Sequence, residues 1–476
     1  MLGCRAGARA ATRSRLEMSA ARPRVGLLII GLGTSPAALD TSLNIALPDV
    51  TAAFAIALHS VQWVVISYML TYGSLMLVCG RLGDAFGHRR VFQLGLAVTA
   101  FGLSACGLAR GYGWLLGGRA MQGVGIALCL SCAPALATRL YPENVRARVL
   151  GTLGALFALF TALGPFIGGM LLERFGWSAV FWYRVPLVLT ALALSWLLPE
   201  HRAHPGAPRF DTASAALLAL TISGALLGGI GVQWDVRAAG VAALLALGAL
   251  AALLRREARA AEPIVPIAAL RDVGIGALHL AGICMHAASF AILLLVPYYL
   301  AQVADMPAAR GGLLLSTAAV GAIGGSLAAG RLASLFGTHR IACVGVVGCA
   351  AGLAAVGSWS HATPPLGLSA ALLLQGVGVG MFQVAYTDLV VATMPIAERG
   401  VAGSLAVVTR TIGVVGGAAG LSALFQWAQV RALAAGLPAS EAFLAAFHVT
   451  FAWTWIGLSA VVFLTLVRPS LFVAER

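Results

Sequence analysis

Five ionisable side chains stand where water is scarce. Asp40 and Asp388 are the two carboxylates inside long apolar runs, and Arg119, Arg184 and Arg410 are the three guanidiniums. Each costs at least ~2.5–3.5 kcal/mol at the centre of a membrane helix by insertion scales, so each calls for water, a partner or a role. A carboxylate in such a place can take up and release a proton, because burial disfavours its charged form. It can also pair with a cationic ligand. Asp40 lies in the outer half of the first run and suits either use. Arg119 lies about five residues into the fourth run and is followed one turn later by Gln122. A guanidinium there can hold a nearby carboxylate ionised, or attract an anion. Asp388, in the inner half of the twelfth run, reads as a ligand contact or as a partner for Arg410. Arg184 and Arg410 themselves read as interface or packing residues. His279 and His286 share one face of the ninth run, and His286 could titrate near neutral pH.

Long apolar helices must position these groups. The chain has 476 residues, 60% hydrophobic and 10% charged, with mean hydropathy +0.92. A soluble surface needs about 25% charged residues. Runs of ~20 apolar residues with short polar gaps read as membrane spans. About fourteen are expected, near 25–47, 60–79, 91–109, 114–138, 150–172, 178–198, 212–232, 237–254, 274–300, 311–330, 341–358, 366–394, 402–426 and 443–467. The expected class is an all-α integral membrane protein.

A repeat organises the spans. Gly80-Arg81-Leu82-Gly83-Asp84-Ala85-Phe86-Gly87-His88-Arg89-Arg90 returns as Gly330-Arg331-Leu332-Ala333-Ser334-Leu335-Phe336-Gly337-Thr338-His339-Arg340. Gln122-Gly123-Val124-Gly125 returns as Gln375-Gly376-Val377-Gly378, and Pro142 and Arg146 match Pro395 and Arg399. Parallel repeats of this kind put a binding site at the interface between halves, near the bilayer midplane. The expected organisation is a tail over 1–24, a six-helix bundle over 25–198, a linker with two extra spans over 199–272, a second six-helix bundle over 273–467 and a tail over 468–476.

Arginine placement sets the expected orientation. Arg110, Arg174, Arg237, Arg310 and Arg431 fall on one side, and the other loop and tail arginines fall on the opposite side. The positive-inside rule then puts both termini in the cytoplasm, in a bacterial-type inner membrane. The net charge of +14 is scattered over loops, so topology explains it and nucleic acid is not an expected partner. Cys129 and Cys132 form a C-x-x-C on an apolar helix with no second pair and no nearby histidine, so they read as buried small residues and no metal is expected. No Ser/His/Asp, metal-ligand or phosphate-cradling set appears at useful spacing, so no enzyme is expected. The expected partners are the lipid bilayer, protons and a small molecule, with a monomer as the unit.

The Gly80, Asp84, Gly87 and Arg90 run, with Arg81 and Arg89, resembles the loop signature of the major facilitator superfamily. Arg119-x-x-Gln122-Gly123-x-Gly125 resembles that family's fourth-span motif, linked there to proton coupling. Gly164-Pro165-x-x-Gly168-Gly169 resembles the fifth-span motif of its antiporters, and Trp63-x-x-x-x-Tyr68-x-Leu70 the second span of its drug exporters. With about fourteen spans the chain is similar to the drug:proton antiporter branch. The resemblance implies two six-helix bundles plus two linker helices and alternating access. It implies proton-driven export of amphipathic molecules, with export of an endogenous metabolite or proton symport as the alternative. It implies a proton gradient as the energy source and no cofactor. Trp63, Tyr68, Phe157, His286, Tyr298 and Tyr386 are the expected cavity residues, Gly80–Arg90 a gating loop, and Gly164, Pro165, Gly168 and Gly169 a tightly packed seal. Three positions depart from the pattern. Asn44 follows Asp40 by four residues where the family's run has five, which turns Asp40 by ~100°. Phe160 replaces a glycine, and Arg184 stands where the family carries an asparagine before Val185-Pro186.

Overall fold

The computed structural model describes residues 24–142, 145–199, 236–257, 273–392 and 399–467, together with a scatter of helical positions between 213 and 228. Among the described residues thirteen long helices follow in order: α1 (Arg24–Ala53), α2 (Leu58–Phe86), α3 (His88–Gly107), α4 (Tyr112–Arg139), α5 (Arg146–Phe175), α6 (Ala179–Leu197), α7 (Val236–Glu257), α8 (Val273–Gln302), α9 (Ala308–Phe336), α10 (Thr338–Gly357), α11 (Pro365–Ala392), α12 (Arg399–Ala434) and α13 (Ala439–Val467). Among the described residues twelve helices are long and apolar enough to cross a membrane. Large apolar side chains such as Phe101, Leu244, Leu327 and Trp453 are exposed around the outside, as a lipid-facing surface requires. The expected span near 212–232 lies mostly outside the described residues. Its described glycines, Gly224 and Gly228, approach the Ala239, Ala242, Ala243 and Ala246 stretch of α7, a small-residue contact between helices.

Short linkers force neighbouring helices to run antiparallel. Gly87 ends α2 at φ 96° and Gly337 ends α9 at φ 85°, a left-handed bend that glycine adopts without a Cβ penalty. The two copies of the repeat therefore make the same turn at the same, arginine-rich end. The side chains of Arg81, Asp84 and Arg399 lie outside the described residues.

Helices α1–α6 pack among themselves, and α8–α13 do the same. The two sets meet where α5 packs on α9, α2 on α12, and α1 on both α8 and α9. The α5–α9 and α1–α8 contacts gather towards the arginine-poor end, and α2 meets α12 both there and at mid-helix, where a Cβ on Gly73 would overlap Thr411. A Cβ on Gly169 would overlap the Ala308 backbone, and one on Gly312 would overlap the carbonyl of Pro165. Tyr298 donates to Leu47 O at 3.2 Å and bonds the Thr51 hydroxyl. Ser422 donates to Gln62 Oε1 at 2.6 Å. Towards the arginine-rich end α5 stands clear of its neighbours. A Cβ on Gly151 or Gly154 of α5 would meet nothing within 4 Å, and the stretch Leu150–Leu159 is exposed on several faces. Among the described residues the two sets are thus sealed together at one end, and α5 stands open at the other.

Candidate functional site

The carboxylate of Asp40 gathers donors from two other helices. In α1 the residues Leu39–Thr41 wind as a 3₁₀ turn, tighter than the helix around them. A 3₁₀ turn advances ~120° per residue instead of ~100°, so the one or two overwound steps between Asp40 and Asn44 recover about 20–40° of the rotation lost by the short spacing. The result points Asp40 at α4 and α6. Arg119 forks onto it, with Nη1 to Oδ1 at 2.7 Å and Nη2 to Oδ2 at 2.8 Å. Arg184 Nη1 reaches the same Oδ1 at 2.7 Å, and Gln122 Nε2 donates to it at 3.2 Å. Gln122 also accepts from Arg119 Nη1 at 2.7 Å.

The arginines are anchored on backbone. Arg119 Nε donates to Val64 O at 2.8 Å. Arg184 Nε donates to Val180 O at 2.9 Å, and its Nη1 also reaches Pro36 O at 3.3 Å. Both side chains are 0% exposed, whereas Asp40 keeps 13%. The Tyr68 ring lies 4.4 Å under the Arg119 guanidinium, and Phe181 and Tyr183 lie beside Arg184 at 5.4 and 6.0 Å. Such ring faces are worth ~2 kcal/mol each to a desolvated cation. Two cations and one anion leave the buried cluster a net charge of one positive, and Arg184 Nη2 has no partner.

This corrects the packing reading of Arg184. The signal was the substitution itself, a charged side chain at a position where the family carries a neutral amide. Tyr68, Tyr298 and Tyr386, expected along a cavity, are at most 3% exposed here. Tyr68 carries Arg119, Tyr298 ties α8 to α1, and the Tyr386 hydroxyl lies 2.8 Å from His279 Nδ1, which is also 2.7 Å from Thr409 Oγ1. Trp63, Phe157 and His286 are half-buried. Asp388 accepts from Thr338 Oγ1 at 2.8 Å and makes no ion pair with Arg410, so the expected pairing of those two is absent. Asp388 instead lines a pocket of about 410 Å³ with Gln383, Val384 and Thr387.

The cluster touches the seal. Thr41, next to Asp40, donates to Thr161 O of α5 at 3.0 Å. A Cβ on Gly164 would meet Thr41, and one on Gly168 would meet Ser42. The glycines of the α5 motif therefore let α1 and α9 close against α5, as Gly169 and Pro165 do at Ala308 and Gly312. In the repeat loop, Gly83 backs onto His88 and Cys132, Gly80 lies near Ser131, and Arg89 stacks on Trp196 at 5.4 Å, while Arg90 is exposed.

Known proteins share this arrangement of helices. The chain is 31% identical over 410 residues to a tetracenomycin C resistance and export protein of Streptomyces glaucescens, covering 85% of this chain and 75% of that protein. It is 26% identical over 402 residues to a riboflavin transporter of Clostridioides difficile, covering 84% and 87%. Among solved structures, a peptide transporter in complex with sulfate superposes with a TM-score of 0.70 at 14% identity, covering 93% of this chain and 94% of that one, a likeness of fold alone. The family model described as Major Facilitator Superfamily matches residues 30–420. With that match across most of its length, the chain belongs to the Major Facilitator Superfamily, a family of membrane transporters.

Proposed function

We propose that the protein is a proton-coupled exporter of small amphipathic molecules that works by alternating access. The observation that carries this reading is the adjacency on α1 of Asp40, held by two guanidiniums, and of Thr41 and Ser42, packed into the seal. A proton on Asp40 removes the charge that holds Arg119 and Arg184 together. The closed end then loses the contact that fixes α1 against α4 and α6. Loss of a proton restores it. In this reading the ion-paired form is the deprotonated one, open at the arginine-rich end. That end is cytoplasmic if the positive-inside rule holds, so the open mouth is where a molecule from the cell interior would enter. Protons arriving from outside contribute about 2.3 kcal/mol per 100 mV of membrane potential.

The same reading includes fourteen spans, with six-helix bundles over 25–198 and 273–467 and an extra pair between them. It places both termini in the cytoplasm of a bacterial-type inner membrane, as a monomer without cofactor. The resistance and export relative favours export. The riboflavin transporter leaves an endogenous metabolite as the second substrate reading.

Flux in proteoliposomes under an imposed pH gradient tests the coupling. Wild type is expected to move a fluorescent amphipath uphill against protons, and Arg119→Ala to lose that uphill component. Breaking a buried pair costs ~3–5 kcal/mol, so the loss should exceed about tenfold. Wild-type flux that ignores the pH gradient would reject proton coupling.

A further inference from the structure

We infer that Arg410 is the docking point for an acid group on the substrate, so that the transported molecules are amphipathic organic anions and not lipophilic cations. This rests on the transport reading above and narrows it to a substrate charge.

The offset that carries Gln122 to Gln375 and Arg146 to Arg399 also carries Phe157 to Arg410. The guanidinium thus stands where the first set of helices puts an aromatic ring, on the part of α5 that opens away from its neighbours. Its own helix fixes its direction. Thr409 is turned to His279 of α8 and Thr411 to Gly73 of α2. The outer stripe of α12 is drawn by Ile412, Ala419, Ala423 and Val430, all exposed. At ~100° per residue, Arg410 lies about 160° around the axis from Ile412. An exposed residue on that side faces the interior mouth, where water can hydrate it. On the lipid side the same charge would be costly.

Arg410 has no counter-ion among the described residues. It makes no hydrogen bond or ion pair with any of them, and Asp388 is engaged by Thr338. His286 on α8 lies within electrostatic reach of it, with Nε2 buried and unpartnered. Gly413, one turn beyond Arg410, brings the α12 backbone against Ile283 and His286. Deeper in, the one carboxylate of the cluster is shared by two guanidiniums, and Arg184 Nη2 remains unpartnered. A cation entering this mouth would find its deepest carboxylate already neutralised. An anion would find a fork of donors suited to carboxylate or sulfonate oxygens.

The test uses the full chain in proteoliposomes with three probes under one pH gradient: anionic fluorescein, cationic ethidium and uncharged umbelliferyl glucoside. Wild type is expected to carry fluorescein in preference to ethidium. Arg410→Gln is expected to cut fluorescein flux about tenfold or more, the loss of one charge-assisted contact, and Arg410→Lys to retain part of it. The thermal midpoint of both variants in detergent should match wild type, which separates recognition from folding. Ethidium carried in place of fluorescein, or fluorescein flux untouched in Arg410→Gln, overturns the inference and leaves transport standing. A wild type that carries none of the three under any gradient overturns both.

Discussion

Asp40→Asn is expected to abolish pH-driven uphill flux while leaving downhill exchange measurable. An asparagine keeps the shape of the side chain but carries no charge. Two guanidiniums, both 0% exposed, would then face each other across a neutral amide. Removing one partner of a buried pair costs ~3–5 kcal/mol because the remaining charge has no compensation. That penalty falls on the form sealed at the arginine-poor end, since this is where α1, α4 and α6 converge on Asp40. The variant should therefore favour the opposite opening and respond no further to protons. Flux measured with and without a pH gradient distinguishes this outcome. A variant that still couples to the gradient would remove Asp40 as the proton carrier.

Gly312→Leu is expected to stop the transport cycle by holding the seal apart. A Cβ at this position would already overlap the carbonyl of Pro165, which is backbone and cannot swing away. Overpacking costs ~1–3 kcal/mol where neighbours can yield, and more is expected here. The sealed form should become at least about tenfold rarer. A cysteine placed at Ile45, which touches Gly311 in the sealed form, should react faster with a membrane-impermeant thiol reagent in the variant. Equal reactivity in the two backgrounds would mean that α5 and α9 do not form the gate. Gly164→Val, against Thr41, should act in the same direction.

Much of the fold is visible in the sequence because two periodicities coincide. Apolar length marked the helices, and the twin turns at Gly87 and Gly337 fixed their parity. The positive φ at both glycines shows why that signature recurs: a helix must end and reverse within one residue. The Asp40–Arg119–Gln122 association was also within reach, because few charges in the apolar runs leave few partners. Arg184 was missed for a physical reason. Helical spacing says which face a residue takes on its own helix, not which distant helix that face meets. Asp40 showed the same limit. Its offset from Asn44 suggested the wrong face, and the 3₁₀ turn at Leu39–Thr41, a local rewinding that spacing does not encode, recovers part of that rotation. The tyrosines fared likewise. Tyr68, Tyr298 and Tyr386 looked suited to a cavity wall, yet each hydroxyl or ring is committed to another helix or to a cation.

The most direct test is the distance between spin labels at Arg174 and Arg310, two exposed positions flanking the sealed end. If a proton on Asp40 releases the cluster, this distance should lengthen on acidification in the wild-type background, and should already be long and insensitive to pH in Asp40→Asn. A pair that keeps the same short distance at every pH and in both backgrounds would contradict the coupling of that carboxylate to the gate.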